Sequence, residues 1–277
     1  MHLRNIESYF GLISIFVSFW IFFILNRTLN FILPKAVLKT DKEKWKWKNI
    51  MISLIHSVVA GLWAVICFIL FPEMAEDLIN SYSTFAHMLV SFSVGYFLHD
   101  LMDLSLNYRN RSSYELIIHH CFVIVCFGLS IMTTFYIGYA VVSLLVEINS
   151  IFLHSRQLFN IVGTQKSDFT YRLNSLMNIF TFIIFRIAVL GWMTRWLVLH
   201  RSHLSLPVYT LGSVGLAVII LMNIVLFIRI CSTDFSNKRK IDTKPSELRA
   251  SKISKEEMMN SASSNTFFAN TQNFHLD

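Results

Sequence analysis

Seven apolar runs, each long enough to cross a bilayer, dominate this chain of 277 residues. A membrane-spanning helix needs about 20 mainly apolar residues, within a range of roughly 17–25. Because lipid offers the backbone no hydrogen-bond partner, such runs cross the membrane as helices. The sequence therefore predicts an all-α, polytopic membrane protein with about seven transmembrane helices. The runs lie near Phe10–Leu33, Ile50–Phe71, Thr84–Leu106, Tyr114–Met132, Phe135–Leu153, Ser175–Leu199 and Leu206–Ile230.

The composition argues against an ordinary soluble domain. Hydrophobic residues make up 54% of the chain and charged residues only 15%, whereas soluble proteins carry about 25% charged residues. The net charge of +7 is concentrated in short loops and the C-terminal tail. Lys and Arg in such loops indicate the orientation of the helices in the membrane and do not indicate a nucleic-acid-binding surface. We expect membrane lipids or acyl chains as partners and no nucleic acid. Protein partners stay unknown.

The basic residues predict the orientation of the chain. Six lysines stand in the loop Pro34–Asn49, and Arg109 and Arg111 follow the third run. The loop Pro72–Ser83 carries acidic residues without Lys or Arg. Cytosolic loops are enriched in Lys and Arg, so we expect an extracellular or lumenal N-terminus and a cytosolic C-terminus. Arg201 lies on the wrong side.

Polar side chains inside the apolar runs collect in the half that is predicted to be cytosolic. An ionisable side chain in the membrane costs roughly 2.5–3.5 kcal/mol on insertion scales, so it usually faces the protein interior. We expect the second to sixth helices to enclose a lipid-accessible polar pocket that opens toward the cytosolic leaflet, with the first helix at the periphery. The candidate pocket residues are His56, His99, Asp100, Asp103, Glu115, His119, His120, Glu147, Asn149, Asn178 and Arg186.

The adjacent histidines His119 and His120 are the strongest candidates for chemistry. They diverge by about 100° on a helix, so one can face the pocket and the other a neighbouring helix. If the protein is an enzyme, these two and Glu147 are the candidate catalytic residues, and none is assigned. The alternative is structural: both histidines can be core residues, and Glu147 can pair with Arg186 to hold two helices together.

Two further alternatives concern the remaining ionisable groups. Asp100 or Asp103 can simply bind His99. A metal site is conceivable because His, Asp and Glu are ligands, but the helical His-x-x-His-His pattern of membrane di-iron oxidases is absent. We therefore expect no metal and no cofactor.

Several segments together resemble the TLC-domain family, the membrane domain shared with ceramide synthases, and especially its small calfacilitin-like plasma-membrane branch. The resemblance runs from about Trp45 to Phe235. The matching segments are Ile55-His56-Ser57, Gly61-Leu62-Trp63, Phe92–Asp100, His119-His120, Leu144–Leu153, Tyr171–Asn174, Phe185-Arg186 and Ser232–Phe235. On this basis we expect residues 1–40 to hold an N-terminal, retained helix and the start of the basic loop, 41–235 the TLC domain, and 236–277 a disordered cytosolic tail.

The resemblance also implies a function. In ceramide synthases the paired histidines, a later His-Asp and a further Asp belong to the acyl-transfer motif. Here His119 and His120 match, but the later positions read Val146-Glu147 and Ser150, so half of that motif is missing. The calfacilitin-like branch implies control of membrane phospholipid composition and fluidity by limiting the incorporation of polyunsaturated acyl chains. It also implies the plasma membrane, with the endoplasmic reticulum as the alternative location.

Two other functions stay open. The first is an acyl-CoA-dependent acyltransferase that uses His119 or His120, with acyl-CoA as its cofactor. The second is a channel modulator or receptor-like protein, which only the number and topology of the helices favour. We favour the regulator over an enzyme, because a histidine base needs a partner that sets its tautomer and pKa.

Overall fold

The computed structural model describes residues 2–34, 37, 40–107 and 111–232, with only the backbone for residues 2–5 and 111–113. All regular structure in these residues is helical. Residues 1–222 form one compact unit, and every contact discussed below lies inside it; residues from 223 onward belong to a second unit. Arg109 and the predicted tail 236–277 lie outside the described residues.

The helices follow the predicted runs closely. They are α1 (His2–Thr28), α2 (Asp41–Leu70), α3 (Thr84–Asn107), α4 (Arg111–Thr133), α5 (Ile137–Leu144), α6 (Glu147–Val162), α7 (Phe169–Phe182), α8 (Val189–Leu199) and α9 (Leu206–Ser232). Six helical stretches in the described chain are long and apolar enough to span a membrane: Ile6–Phe31, Asp41–Leu70, Tyr114–Thr133, Ile137–Val162, Phe169–Leu199 and Leu206–Ser232.

Helix α3 is the seventh long helix and lies at the centre of the unit. It contacts α1, α2, α4 and α5. Most of its side chains are buried, including His87, His99, Asp100 and Asp103. These polar residues make α3 less apolar than the other spans, and they are tolerated because they face neighbouring helices and not lipid. The prediction of an all-α polytopic protein with about seven spanning helices is confirmed.

Helix α1 is not peripheral, contrary to our expectation. It runs parallel to α3 and packs against it more extensively than any other pair of helices. Ser18 Oγ donates a hydrogen bond of 2.7 Å to Phe92 O. A Cβ atom on Gly95 would lie only 2.5 Å from Ser18 Cβ and 2.6 Å from Ile15 O. Small residues allow this close helix approach, and α1 therefore belongs to the core.

Helix α2 begins nine residues before the predicted apolar run, at Asp41. Thr40 is its N-cap, and the Thr40 side chain accepts a hydrogen bond of 3.2 Å from Glu43 N. This is the capping arrangement expected of Thr followed three residues later by Glu. The segment 41–49, which we expected to be loop, therefore forms the first turns of α2. The backbone hydrogen bonds of the helix keep this lysine-rich segment ordered.

Two of the spans are interrupted near their middle. Helices α5 and α6 form the span Ile137–Val162, which breaks at Leu145 and Val146, where the N–H groups bond to carbonyls three residues back. The segment Ile183–Ala188 between α7 and α8 is a π-helical turn. Such turns insert an extra residue into a helix and are frequent at functional sites.

The unit has two ends with different chemistry. The basic end holds the first turns of α2, with Lys42, Lys44, Lys46 and Lys48, together with the end of α3 and the start of α4. The opposite end holds the loop 71–83 and the turn between α4 and α5. In that loop, Leu78 O and Ile79 O accept hydrogen bonds from Tyr139 N at 3.3 Å and Tyr136 N at 2.8 Å. The loop thus satisfies N–H groups at the start of α5.

Asp77 stabilises this loop. Its Oδ1 accepts hydrogen bonds from Ile79 N at 2.9 Å and Asn80 N at 3.0 Å, and its Oδ2 from Asn80 Nδ2 at 2.9 Å. Partial burial raises the pKa of Asp77, but these hydrogen bonds outweigh that effect, so the pKa lies below its usual value. The loop geometry therefore depends on the ionised carboxylate.

Candidate functional site

The polar side chains inside the helices form one connected group between the basic end and the middle of the unit. We call it the polar cluster. It contains His56 and Ser57 of α2, Ser93, Tyr96 and Asp100 of α3, His119 and His120 of α4, Glu147, Asn149, Ser150 and His154 of α6, Asn178 of α7 and Arg186 of the π turn.

His56 occupies the centre of the contact between α2 and α3. Its side chain is fully buried. The imidazole stacks on the Tyr96 ring with centroids 3.8 Å apart and planes 10° apart. His56 Nε2 lies 3.3 Å from Ser93 Oγ, and Tyr96 OH donates a hydrogen bond of 2.9 Å to Ser53 Oγ. Aromatic stacking and two polar contacts therefore fix the register of the two helices.

The carboxylates of α3 bind the start of α2. Asn49 Nδ2 donates hydrogen bonds to Asp100 Oδ1 at 2.6 Å and to Asp103 Oδ2 at 3.2 Å. Asp103 also accepts bonds from Trp45 Nε1 at 2.9 Å and from Asn107 Nδ2 at 3.0 Å. Asp100 therefore bonds to α2, and of the two carboxylates that could bind His99 it is Asp103 that interacts with this histidine electrostatically.

The paired histidines of α4 point to different neighbours. His120 is buried, and its Nδ1 lies 3.5 Å from Asp100 Oδ2, which is within ion-pair distance but lacks hydrogen-bond geometry. Its ring also packs on Phe97 of α3, with centroids 5.2 Å apart. His119 interacts electrostatically with Arg186 on the other side. The two rings are 5.6 Å apart, so both lie in the cluster on different faces of α4.

Glu147 is the first residue of α6, directly after the break at residues 145 and 146. A carboxylate is favoured there by the partial positive charge of the helix N-terminus. Ser57 Oγ donates a hydrogen bond of 2.6 Å to Glu147 Oε2. Glu147 and Arg186 also attract one another electrostatically. The break therefore turns a carboxylate toward α2 in the middle of the membrane-spanning region.

Arg186 joins the π turn to α6. Its Nε donates a hydrogen bond of 2.7 Å to Asn149 Oδ1, and its Nη2 donates one of 2.8 Å to Ser150 Oγ. Asn149 Nδ2 in turn donates to Asn178 O at 2.8 Å and to Thr181 Oγ1 at 3.0 Å. Asn149 thus uses its amide oxygen and nitrogen to hold three segments together.

Two predicted pocket residues lie away from these contacts. His99 faces α1, where its ring lies 6.1 Å from the ring of Phe19 and 6.5 Å from that of Phe22. It interacts electrostatically with Asp103. Glu115 lies half-buried one turn before His119. The structure therefore brings together His56, Asp100, His119, His120, Glu147, Asn149, Asn178 and Arg186, with Asp103 at the edge.

Several residues that contribute to these contacts are not among the sequence candidates, and Asn49 and His154 are two of them. Asn49 was assigned to the basic loop, although its spacing of one helical turn from Ser53 would have placed it on the face of α2 that meets α3. His154 stands seven residues after Glu147, so it shares the same face of α6. It interacts electrostatically with Arg186, and His56 interacts with it in turn.

The histidines carry unused hydrogen-bonding capacity. Within the described part of the chain, the Nδ1 atoms of His56, His99, His119, His120 and His154 are buried without a hydrogen-bond partner. Buried polar atoms are usually bonded, so the cluster can accept or donate further hydrogen bonds. In the same residues no group of three or more His, Cys, Asp and Glu side chains is arranged to hold a metal ion.

Two adjoining apolar cavities lie elsewhere in the unit, between α4, α5, α8 and the first half of α9. We call them together the apolar cavity. Both are lined by Cys126, Ser130, Tyr139 and Gly212. The described lining contains no residue of the polar cluster. The expected pocket around the cluster is therefore not among these cavities, and the cluster side chains pack against one another.

Comparison with known proteins identifies relatives of the chain. The family model of the TLC domain matches residues 46–232. TLC domain-containing protein 2 of Danio rerio is 49% identical over 217 residues, covering 78% of this chain and 86% of the relative. The Homo sapiens protein of the same name is 36% identical over 198 residues, covering 72% and 75%. TLC domain-containing protein 1 of Mus musculus is 32% identical over 219 residues, covering 78% and 86%.

Proposed function

Because the chain belongs to the TLC-domain family, a family of membrane-lipid-related proteins, we propose that it regulates membrane phospholipid composition and fluidity. It limits the incorporation of polyunsaturated acyl chains into phospholipids. We place it in the plasma membrane, with the N-terminus extracellular and the C-terminus cytosolic, and keep the endoplasmic reticulum as the alternative. The loop charges support this orientation, because the lysines of α2 and the acidic loop 71–83 lie at opposite ends.

One observation carries the choice of a regulator over an enzyme: the carboxylates of the polar cluster are engaged in holding helices together. Asn49 binds Asp100, and Ser57 binds Glu147 at 2.6 Å. A histidine that acts as a general base needs a neighbour that accepts or orients its proton. Here both carboxylates accept hydrogen bonds from α2, which supports a structural cluster inside a lipid-contacting bundle.

Lipidomics of cells tests the proposal. Cells that lack the protein should contain a higher fraction of polyunsaturated phospholipids than cells in which the wild-type chain is restored. A His119→Ala, His120→Ala protein that reaches the membrane should keep part of the effect, because a residue that shapes a binding surface changes affinity less than a catalytic base changes rate. An unchanged fraction of polyunsaturated phospholipids after loss of the protein would refute the proposal.

The acyltransferase is the second candidate, and the Asp100–His120 contact favours it. Asp100 Oδ2 lies 3.5 Å from His120 Nδ1, and a small rotation would let the carboxylate orient the ring, leaving Nε2 to accept a proton from an acceptor alcohol or amine. A base of this kind contributes a factor of about 10²–10⁴ in rate. The experiment is to supply the purified protein with acyl-CoA and a sphingoid base or a lysophospholipid. We expect no acylated product, and product that disappears in the His120→Ala protein would establish the acyltransferase instead.

A further inference from the structure

The surroundings of the apolar cavity suit a lipid-binding site. It begins near Tyr136, at the opposite end of the unit, and reaches Phe122, about three turns before the end of α4. All four enclosing helices lie in candidate membrane spans, so molecules dissolved in the bilayer can reach it. An elongated apolar space that starts near the membrane surface suits a flexible hydrocarbon chain.

Two polar atoms stand at the shallow part of this cavity. Trp196 and Tyr139 both line it. The Trp196 side chain is only 7% exposed. Neither Trp196 Nε1 nor Tyr139 OH has a hydrogen-bond partner in the described residues, although both atoms are buried. Burying such a group without a partner costs free energy, and an indole N–H can only donate. The missing partner is therefore a hydrogen-bond acceptor.

The depth of these atoms indicates which acceptor it is. Tyr139 is the third residue of α5, and Trp196 lies in the last turn of α8. At 1.5 Å per residue both are within about 5 Å of the helix ends. Trp and Tyr commonly occupy this interfacial level of the bilayer. The ester groups of glycerolipids join the acyl chains to the headgroup at this boundary, and each ester carbonyl is an acceptor.

We propose that the apolar cavity binds one acyl chain of a glycerophospholipid, whose ester carbonyl accepts a hydrogen bond from Trp196 Nε1 or Tyr139 OH. The chain then extends between α4 and α9 toward Phe122. Two glycines of α9 leave the space for it: a Cβ on Gly212 would contact Leu197 at 3.6 Å, and one on Gly215 would contact Cys126 Sγ at 3.7 Å. Both distances are ordinary van der Waals contacts, so larger side chains at these positions can be built and would occupy the cavity.

Photolabelling of the full-length protein tests the site. The protein is reconstituted in phosphatidylcholine nanodiscs with a tracer phosphatidylcholine that carries a diazirine in the middle of one acyl chain, and labelled peptides are mapped by mass spectrometry. We expect label on the α4 and α9 segments that line the cavity. Gly212→Leu and Gly215→Leu should reduce this label by about tenfold. Gly191→Leu is the matched control, because a Cβ on Gly191 meets no atom within 4 Å, and it should change nothing.

The polar contact is tested separately. Tyr139→Phe keeps the ring, Trp196→Phe keeps an aromatic side chain, and both remove the donor. The loss of one hydrogen bond should weaken labelling by about two- to tenfold. Trp192→Phe, on the exposed side of α8, is the control. Equal labelling of the wild-type and Gly212→Leu proteins would overturn the proposal, as would equal effects of Trp196→Phe and Trp192→Phe. Stronger labelling of the same peptides by a photoactivatable sterol would also overturn it. Because the cavity and the polar cluster share no residue, this result is independent of the cellular lipidomics.

Discussion

The imidazole of His56 and the phenol of Tyr96 stack face to face with their centroids 3.8 Å apart, deep between α2 and α3. An offset or parallel contact between aromatic rings adds about 0.5–1.5 kcal/mol to the burial of their surface. The pair also carries two hydroxyl contacts, from Ser93 and Ser53. This one contact thus combines apolar and polar stabilisation at the core of the domain.

His56→Ala should destabilise the protein markedly. The change leaves a cavity beside Tyr96 and removes the contact with Ser93, and loss of a large buried side chain typically costs about 3–5 kcal/mol. The thermal unfolding temperature of the purified protein in nanodiscs should fall clearly. His203→Ala is the control, because His203 is exposed. An equal shift for both variants would show that the stacked pair contributes little.

Gly95→Val should separate α1 from α3. The added side chain would overlap Ser18 Cβ and Ile15 O, and overpacking of this kind costs typically about 1–3 kcal/mol. We expect a lower unfolding temperature and greater protease sensitivity of α1. The matched change Gly191→Val introduces the same side chain where space is open. An unfolding temperature of Gly95→Val equal to that of the wild type would contradict the close contact between α1 and α3.

Glu147 and Arg186 should behave as a coupled pair. Removal of one partner leaves an unpaired buried charge and typically costs about 3–5 kcal/mol, so Glu147→Gln and Arg186→Met should each lower protein abundance in cells. The double variant should lower protein abundance less than the worse single variant does. A double-mutant cycle with quantitative immunoblotting measures this, and a double variant no better than the worse single one would exclude the pairing.

Asp77 should make the loop at the opposite end dependent on pH. Partial burial raises the folded-state pKa of Asp77, but hydrogen bonds from Asn80 and Ile79 lower it by more. The resulting stabilisation is fully present above the unfolded value of about 3.9 and is lost as the pH falls through the lower folded-state pKa. At neutral pH, Asp77→Ala should therefore speed hydrogen exchange at the Ile79 and Asn80 amides, and the difference from wild type should shrink in acid.

The neighbouring Glu76→Ala variant is the control for Asp77, since Glu76 is exposed at the same loop. It should leave exchange at both amides unchanged at every pH. A difference between wild type and Asp77→Ala that persists undiminished at the lowest pH would contradict the role of the ionised carboxylate.

The proposed orientation predicts that neither Asn26 nor Asn110 is glycosylated. Both begin the sequence Asn-Arg followed by Ser or Thr, and the proposed topology places both at or behind the cytosolic face, where no glycan is added. The electrophoretic mobility of the protein from mammalian cells should not change after glycosidase treatment. A sequon added before residue 1 should be modified and serves as the positive control. A glycosidase-sensitive shift that Asn110→Gln abolishes would reverse the topology.

The sequence predicted the spans and the polar cluster because both follow from the free energy of placing individual residues in lipid. An apolar run must lie in lipid or in a core, and a charge such as that of Arg186 cannot face lipid without a large penalty. The position of α1 could not be predicted in this way. Gly11 and Ser18 are small and neither strongly apolar nor strongly polar, so their chemistry does not distinguish a helix-facing side from a lipid-facing one. The contact appears only when the complementary surface of α3 is known.

The breaks in the two interrupted spans were also invisible in the sequence. Neither Leu145-Val146 nor the segment Ile183–Ala188 contains Pro or Gly, the residues that usually mark a kink. Side-chain contacts across helices hold them, such as the bonds of Arg186 to Asn149 and Ser150. The sequence therefore indicated Glu147 and Arg186 as candidates, while the turns that aim them toward one another required the structure.

The parallel contact of α1 with α3 has a consequence for biosynthesis. Polypeptides are synthesised from the N-terminus, so α1 enters the membrane before the helix that covers its Gly11 and Ser18 face exists. The intervening α2 crosses in the opposite direction and must be placed first. Until α3 arrives, Ser18 has no access to Phe92 O, the acceptor of its hydrogen bond in the folded protein. Three helices must therefore be synthesised before the first of them can meet α3.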